Sequence, residues 1–406
     1  MDGECVPSPW PELPPDLAGA VYCRLVSYGD RVRFRAVCRP WRLAARRQHP
    51  LPAALPWIAL DRTTYESLPD GEVHRVPVPG ELPADTVCRG AFDGWLLYES
   101  GEQRERCLRN PISMAKIDLP YHCDEVINPG FNLDGLYPTT VCLHEAVLRK
   151  IVVCSPDFLA AIIDYGAVLF LRPGSMHSTW SLAACPGYVG DIALYRGKLY
   201  FVAGHGELAV HDFSSSSSEA SSSRRHGSAK DDSSSSCVDV VISTEPPLNN
   251  QNPPRGHFWD STVYLVVSCT GKLLMVRWRR CLPLAPHYRH WCADELSKEI
   301  KVDVFEADLE KRRWSEVEEL GEQALFVGTT CSKALPWPDH ANCVFFLGLN
   351  VAKFSPDGTI DGIGGCAYCV YDMKNGAFSF DHPVSIERDF RRSRDDWFFP
   401  CDVVES

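Results

Sequence analysis

The chain opens on an apolar pattern of helical period and then abandons it. Leu13, Leu17, Val21 and Leu25 fall four residues apart, which sets them on one stripe of a helix. Pro14 and Pro15 stand where that helix begins, because a fixed φ suits the first turn and no N–H is missed there. Val32, Val37 and Trp41 supply further apolar positions before residue 50. Three helices this short are too small to be comfortably self-sufficient. The stripe therefore needs a partner, either the rest of the chain or another protein.

Beyond residue 55 short β-rich runs take over, punctuated by Gly, Pro, Asp or Asn. Trp57–Leu60, Trp95–Tyr98, Lys150–Cys154, Lys198–Val202, Val263–Val267 and Asn342–Leu347 read as strands. Asp93-Gly94, Arg196-Gly197, Thr270-Gly271 and Asn375-Gly376 supply residues that accept φ > 0, as tight hairpins require. A turn glycine followed by an apolar strand recurs at Gly94, Gly197 and Gly271. A second element, an apolar strand ending in an acidic turn and then an aromatic, recurs at Val304–Asp308 with Trp314 and at Val370–Asp372 with Phe378. With a serine-rich insert set aside, the repeat is about fifty residues, the period of kelch-like propeller blades. The expected architecture is mainly β with a small α N-terminal domain. Three helices over 10–50 precede an irregular β-propeller over 55–385 of about six blades, within a range of about five to seven. A β-sandwich is the alternative, but its strands would not recur in groups of four.

Charge and composition narrow the function. The formal charge of −12 argues against a nucleic-acid partner, which selects a basic footprint. Residues 1–50 hold eight arginines against five carboxylates, a net of +3, so the remainder carries about −15. A basic head on an acidic body suits two modules with different partners, and surface solvation explains it equally well. Eighteen cysteines do not imply disulfides here: the acidic start lacks an export signal, and no apolar run is long enough to cross a bilayer. The thiols then act as small buried hydrophobes in a nuclear or cytoplasmic protein without membrane contact. Residues 213–236 are the serine-rich insert, expected to be disordered, and are either a phosphorylation-controlled loop or a tolerated insertion.

Candidate chemistry is sparse. Cys366 and Cys369 lie three apart in a strand pattern, on opposite faces, and read as core. Cys281, His287, His290 and Cys292 offer four zinc-type ligands within twelve residues, but their spacing fits no standard finger, and a long inter-strand loop is the simpler reading. Nucleophile-elbow, phosphate-loop, dinucleotide and His-Glu-x-x-His patterns are missing, so neither an enzyme nor a cofactor is expected. Trp337-Pro338-Asp339-His340 looks like an exposed turn, which makes Trp337 a weak candidate for target recognition; that it closes blade packing is the favoured reading. The tail over 386–406 reads as a docking segment, a final strand or a nuclear address.

Two resemblances cover nearly the whole chain. Leu13-Pro14, Leu17, Val21, Arg24-Leu25, Asp30, Val32, Arg35, Val37-Cys38-Arg39 and Trp41-Arg42 resemble an F-box, in order and at its spacing. Gly19 and Ala20 stand where larger aliphatics are usual, and Tyr22 and Cys23 also depart. Asp93–Leu97, Arg109-Asn110-Pro111 with Asp118–Pro120, Asp191–Ala193, Ala324–Gly328 and Asn342–Phe346 are similar to a plant family that joins an F-box to an irregular kelch-like propeller. The resemblance implies a substrate adaptor of a Skp/cullin/F-box ubiquitin ligase. Leu13, Pro14, Leu17, Val21, Leu25, Val32, Val37 and Trp41 would meet the Skp-type adaptor, and the propeller would hold an unidentified protein substrate. The alternatives are a propeller binding module whose F-box is out of use, and a propeller enzyme or small-ligand receptor.

Overall fold

The computed structural model describes residues 10, 13–48, 51–120, 147–213, 238–283, 300–347, 350–379 and 396–400, short breaks within these ranges aside. Helix α1 spans Pro15–Arg24, with Pro14 at its N-cap and Asp16 in the first turn. Helices α2 (Tyr28–Val37) and α3 (Arg39–Arg46) follow, the latter opening with Pro40 in its first turn. Their shared core is Ala18, Tyr22, Phe34, Ala44 and Ala45, with Phe34 stacked on Trp41 at 4.4 Å between centroids. Gly19 leaves room for the Gln48 side-chain amide, whose Nε2 lies 2.2 Å from where a Cβ would stand.

The rest is a six-bladed propeller, as expected from the recurring strands. Blade I contains β1 (Trp57–Ala59), β2 (Thr64–Ser67) and β3 (Val73–Arg75). Blade II is β4 (Val87–Phe92), β5 (Trp95–Ser100), β6 (Glu105–Arg109) and β7 (Lys116–Leu119). Blade III is β8 (Leu148–Ser155), β9 (Phe158–Ile163), β10 (Val168–Leu171) and β11 (Ser181–Leu182). Blade IV is β12 (Val189–Tyr195), β13 (Lys198–Ala203), β14 (Glu207–His211) and β15 (Asp239–Ile242). Blade V is β16 (His257–Val267), β17 (Leu273–Pro283), β18 (Ile300–Asp308) and β19 (Arg313–Glu316). Blade VI has five strands, in spatial order β21 (Lys333–Pro336), β20 (Gln323–Val327), β22 (Cys343–Leu347), β25 (Tyr368–Asp372) and β26 (Ala377–Ser379). A separate hairpin, β23 (Asn350–Phe354) with β24 (Ile360–Gly365), is inserted in that blade.

Blade I is closed from the other end of the chain: β27 (Trp397–Phe398) pairs antiparallel with β1, Trp57 against Phe398 and Ile58 against Trp397. The described part of the tail is thus the innermost strand of the ring. The expected fifty-residue period is not kept, and most blades exceed it. Innermost strands begin at residues 87, 148, 189, 257, 333 and 397, at steps of 41 to 76, because loops and a fifth strand stretch some blades. The turn Asp93-Gly94, with φ of 44° and 84°, fits the twist of a tight hairpin, and Arg196-Gly197 repeats it at 49° and 71°.

Side chains staple neighbouring blades near the axis. Lys150 Nζ of β8 donates to Asp191 Oδ1 of β12 at 2.7 Å, and Asp191 Oδ2 accepts the Leu265 N–H of β16 at 2.7 Å. Asp396 Oδ2 accepts from Ala91 N–H of β4 at 3.1 Å, and Gln323 Oε1 from Cys269 N–H at 2.8 Å. These contacts run in step, Arg149 to Gly190 and Lys150 to Asp191, so the innermost strands are parallel around the ring. All of them start on one face of the disc, called upper here, and end on the lower.

Within blade II, Glu99 is buried between Arg89 and Arg106, which both bond its carboxylate. Burial pushes its pKa up, but the hydrogen bonds from Arg89 and Arg106 outweigh that and the net shift is downward. A carboxylate depressed in the folded state contributes stability above its unfolded pKa and loses it as pH falls. The melting temperature should therefore fall as pH drops from about 5 to about 3, and Glu99→Gln should flatten that slope. Thermal melts across this range test it, and an unchanged slope would remove Glu99 from the acid response.

Candidate functional site

The helical unit presents the clearest uncovered surface. Leu17, Val21, Val32, Val37 and Leu43 are exposed, Leu17 by 52% and Val37 by 62%. All lie on helices whose core is already closed by other side chains. The stripe read from the sequence therefore divides: Leu17 and Val21 face outward, while Leu13 and Leu25 are half-buried against Ala18 and Tyr22. Trp41 is likewise half-buried, held on Phe34, so it supports the fold of the unit. Pro14 is exposed at the N-cap of α1. Leu43 and Trp10 were not singled out by sequence, though Leu43 between Arg42 and Ala44 is an aliphatic in a polar helix.

This unit is fastened to the lower side of blade I. Leu55 N–H donates to Val26 O at 2.8 Å, and Ser27 Oγ donates to Asp70 Oδ2 at 3.2 Å. Arg33 forms an ion pair with Glu72, and the Tyr28 ring meets Trp57 edge-on at 5.9 Å. Burial raises the Asp70 pKa, but hydrogen bonds from Ser67, the Glu72 backbone and Ser27 bring the net shift below the ordinary carboxylate value. Ser27 serves this joint and does not cap α2.

In the disc, Trp337 takes the packing role favoured from sequence, and its turn is not the exposed one it resembles. Trp337 is 5% exposed, not an exposed anchor. The 3-10 turn Pro338–His340 folds back so that its ring lies 3.9 Å from His340 and 5.3 Å from Phe345. Its position in the blade VI core leaves no surface for a target. Of the metal candidates, Cys281 sits at the end of β17, while His287, His290 and Cys292 lie outside the described residues. Among the described residues no three metal-ligating side chains come together, and no helix is long and apolar enough to cross a membrane. Cys369 is fully buried, and Cys366 is outside the described residues. The serine-rich insert is also outside them, except that Phe213 packs on Phe158 at 4.8 Å.

A KIB1-4 beta-propeller pattern matches residues 65–374. The chain belongs to the plant F-box proteins with a KIB1-4 beta-propeller. The "Putative F-box protein At4g17565" of Arabidopsis thaliana is 25% identical over 96% of this chain and 94% of its own length. The "F-box protein At2g17036" of the same plant is 23% identical over 79% of this chain and 77% of its own. Among solved structures, the Cps50 (Swd1) beta-propeller domain of Myceliophteria thermophila is 12% identical, covering 80% of this chain and 78% of its own, at a TM-score of 0.28. A score that low carries no argument about this protein. The three helices precede this matched region and are fastened below blade I, and the upper face of the propeller is the side away from them.

Proposed function

We propose that the protein is a substrate-recognition adaptor of a Skp/cullin/F-box ubiquitin ligase, acting without catalysis of its own. The observation that carries this reading is the set of exposed aliphatics, Leu17, Val21, Val32, Val37 and Leu43, on an F-box whose own core is complete. Apolar surface of this kind on a small unit is a docking surface. Leu13, Leu25 and Trp41 act mainly by holding the helices, and Pro14 by starting α1. The mechanism is proximity: a target held by the propeller gains effective concentration near a charged conjugating enzyme. Such an adaptor works in the nucleus, the cytoplasm or both.

A pull-down against a Skp-type adaptor tests the reading. Leu17→Asp with Val37→Asp should weaken binding at least about tenfold while the melting curve stays put, because both side chains already face water. Phe34→Ala, in contrast, should loosen the helices themselves. Binding of the double Asp variant at the wild-type level would sink the assignment.

A further inference from the structure

The chain sorts its cations unevenly. It has eleven lysines, and the first of them is Lys116, although residues 1–115 hold fourteen arginines. The two side chains are not equivalent here: a lysine amine can accept ubiquitin, whereas a guanidinium stays protonated and does not. The three helices, blade I and the first three strands of blade II thus contain no lysine at all.

Topology places the remaining lysines. Innermost strands run from the upper to the lower face, so blades II to V turn at the lower face after their first and third strands. Lys198 and Lys272 stand at first-strand turns, and Lys116 and Lys311 at third-strand turns. In blade VI, β20 runs antiparallel to the innermost β21, β22 parallel to β20, and β25 antiparallel to β22. Lys374, between β25 and β26, is therefore on the lower rim as well. All five are exposed. In the upper half the cations are mostly arginines: Arg89 in β4, Arg149 in β8, and Arg279 and Arg280 in β17. Among the described side chains the other lysines have no open position. Lys150 is buried on Asp191, Lys333 is paired with Asp93 at 2.8 Å, and Lys301 is half-buried at the upper end of β18. Lys230 and Lys298 lie outside the described residues, as does the Lys353 side chain.

Under the adaptor reading, on which this inference rests, the F-box ties the lower side to the ligase and leaves the upper face for the target. The charged conjugating enzyme then faces that side. In the transfer a lysine amine attacks the thioester carbonyl at the C terminus of ubiquitin. A C–N amide bond forms, the C–S bond breaks, and the enzyme's cysteine leaves as a thiol with the amine's hydrogen. Any other amine within the same reach competes, because its effective concentration is as high as the target's. We propose that the chain keeps its own acceptor lysines off the upper face, so that ubiquitin passes to the seated target and the adaptor is spared. The exposed lysines stand behind the disc.

Reconstitution of the full chain with a Skp-type adaptor, a cullin core, activating and conjugating enzymes, ATP and ubiquitin tests it. Ubiquitin on the chain is mapped by peptide mass spectrometry, and adaptor capture is measured in parallel. Val147→Lys and Tyr188→Lys put amines at exposed upper ends of blades III and IV, and Met114→Lys puts one on the exposed lower turn between β6 and β7. All three are surface changes and should keep the wild-type melting curve. The two upper variants should gain self-modification about fivefold or more over wild type, at the new lysine, while Met114→Lys stays near the wild-type level. Modification of the upper variants no greater than that of Met114→Lys, with the adaptor captured normally, overturns this proposal alone. Failure of the wild type to capture the adaptor overturns the adaptor reading, and this proposal with it.

Discussion

Asp191→Ala should be among the most damaging single substitutions in the propeller, lowering stability by about 3–5 kcal/mol. The carboxylate is 3% exposed and serves three donors: Lys150 Nζ at 2.7 Å, its neighbour Ile192 N–H at 2.9 Å and Leu265 N–H at 2.7 Å. Its removal strands an ammonium that is itself 4% exposed, together with two backbone donors, between blades III, IV and V. Lys150→Met should cost less, because the carboxylate keeps both N–H donors. The double variant should then be less damaged than the sum of the singles, since the uncompensated cation is gone. Urea unfolding of the four proteins measures this. Additive losses would mean that the pair is not energetically coupled.

The second large effect lies at the ring closure. Trp397 is fully buried, its Nε1 donates to Val327 O at 3.0 Å, and its ring meets Phe326 edge-on at 5.2 Å. Its own carbonyl accepts from Cys331 Sγ at 3.1 Å. Trp397→Ala should cost about 3–5 kcal/mol through the cavity alone. Ending the chain at residue 395 should do more, because β1 then becomes an open edge beside blade VI. Open edges invite pairing with other chains. Size-exclusion chromatography of the truncated protein should show aggregate in place of monomer, and a monomer melting like wild type would contradict the role given to β27.

What the sequence revealed and what it hid follow from the range of the interactions. Strands such as Lys198–Ala203 and the turn Asp93-Gly94 are set by neighbours, so period and turn chemistry expose them. The pairing of Trp397 with Ile58 joins residues at opposite ends of the chain, and no local pattern encodes it. The same holds for β20, which lies parallel to β22 with Leu325 against Val344. In α1, spacing alone puts Leu13, Leu17, Val21 and Leu25 together. Only the small Ala44 and Ala45 of α3, which admit Ala18 and Tyr22, decide that Leu17 and Val21 turn outward. Pro, Asp and His beside Trp337 resemble a surface turn, and only Phe326 and Phe345, a stacking bed from other strands, decide for packing. Arg277 and Arg279 do alternate at strand period, which marks a shared face, but nothing in one chain segment says that both meet the same Asp303 oxygen.

The joint between the three helices and blade I also sets a length. Leu55 is tied to Val26, Ser27 to Asp70 and Arg33 to Glu72, so the helices are held directly on blade I. A molecule gripped by the helices and another seated on the upper face stand at one separation and one bearing. Under the adaptor role proposed above, the protein acts as a gauge block, accepting those cargoes whose reactive groups fall at the matching radius. Cutting the three ties would turn the gauge into a hinge, and the spread of distances between probes on Leu17 and Tyr188 would widen accordingly.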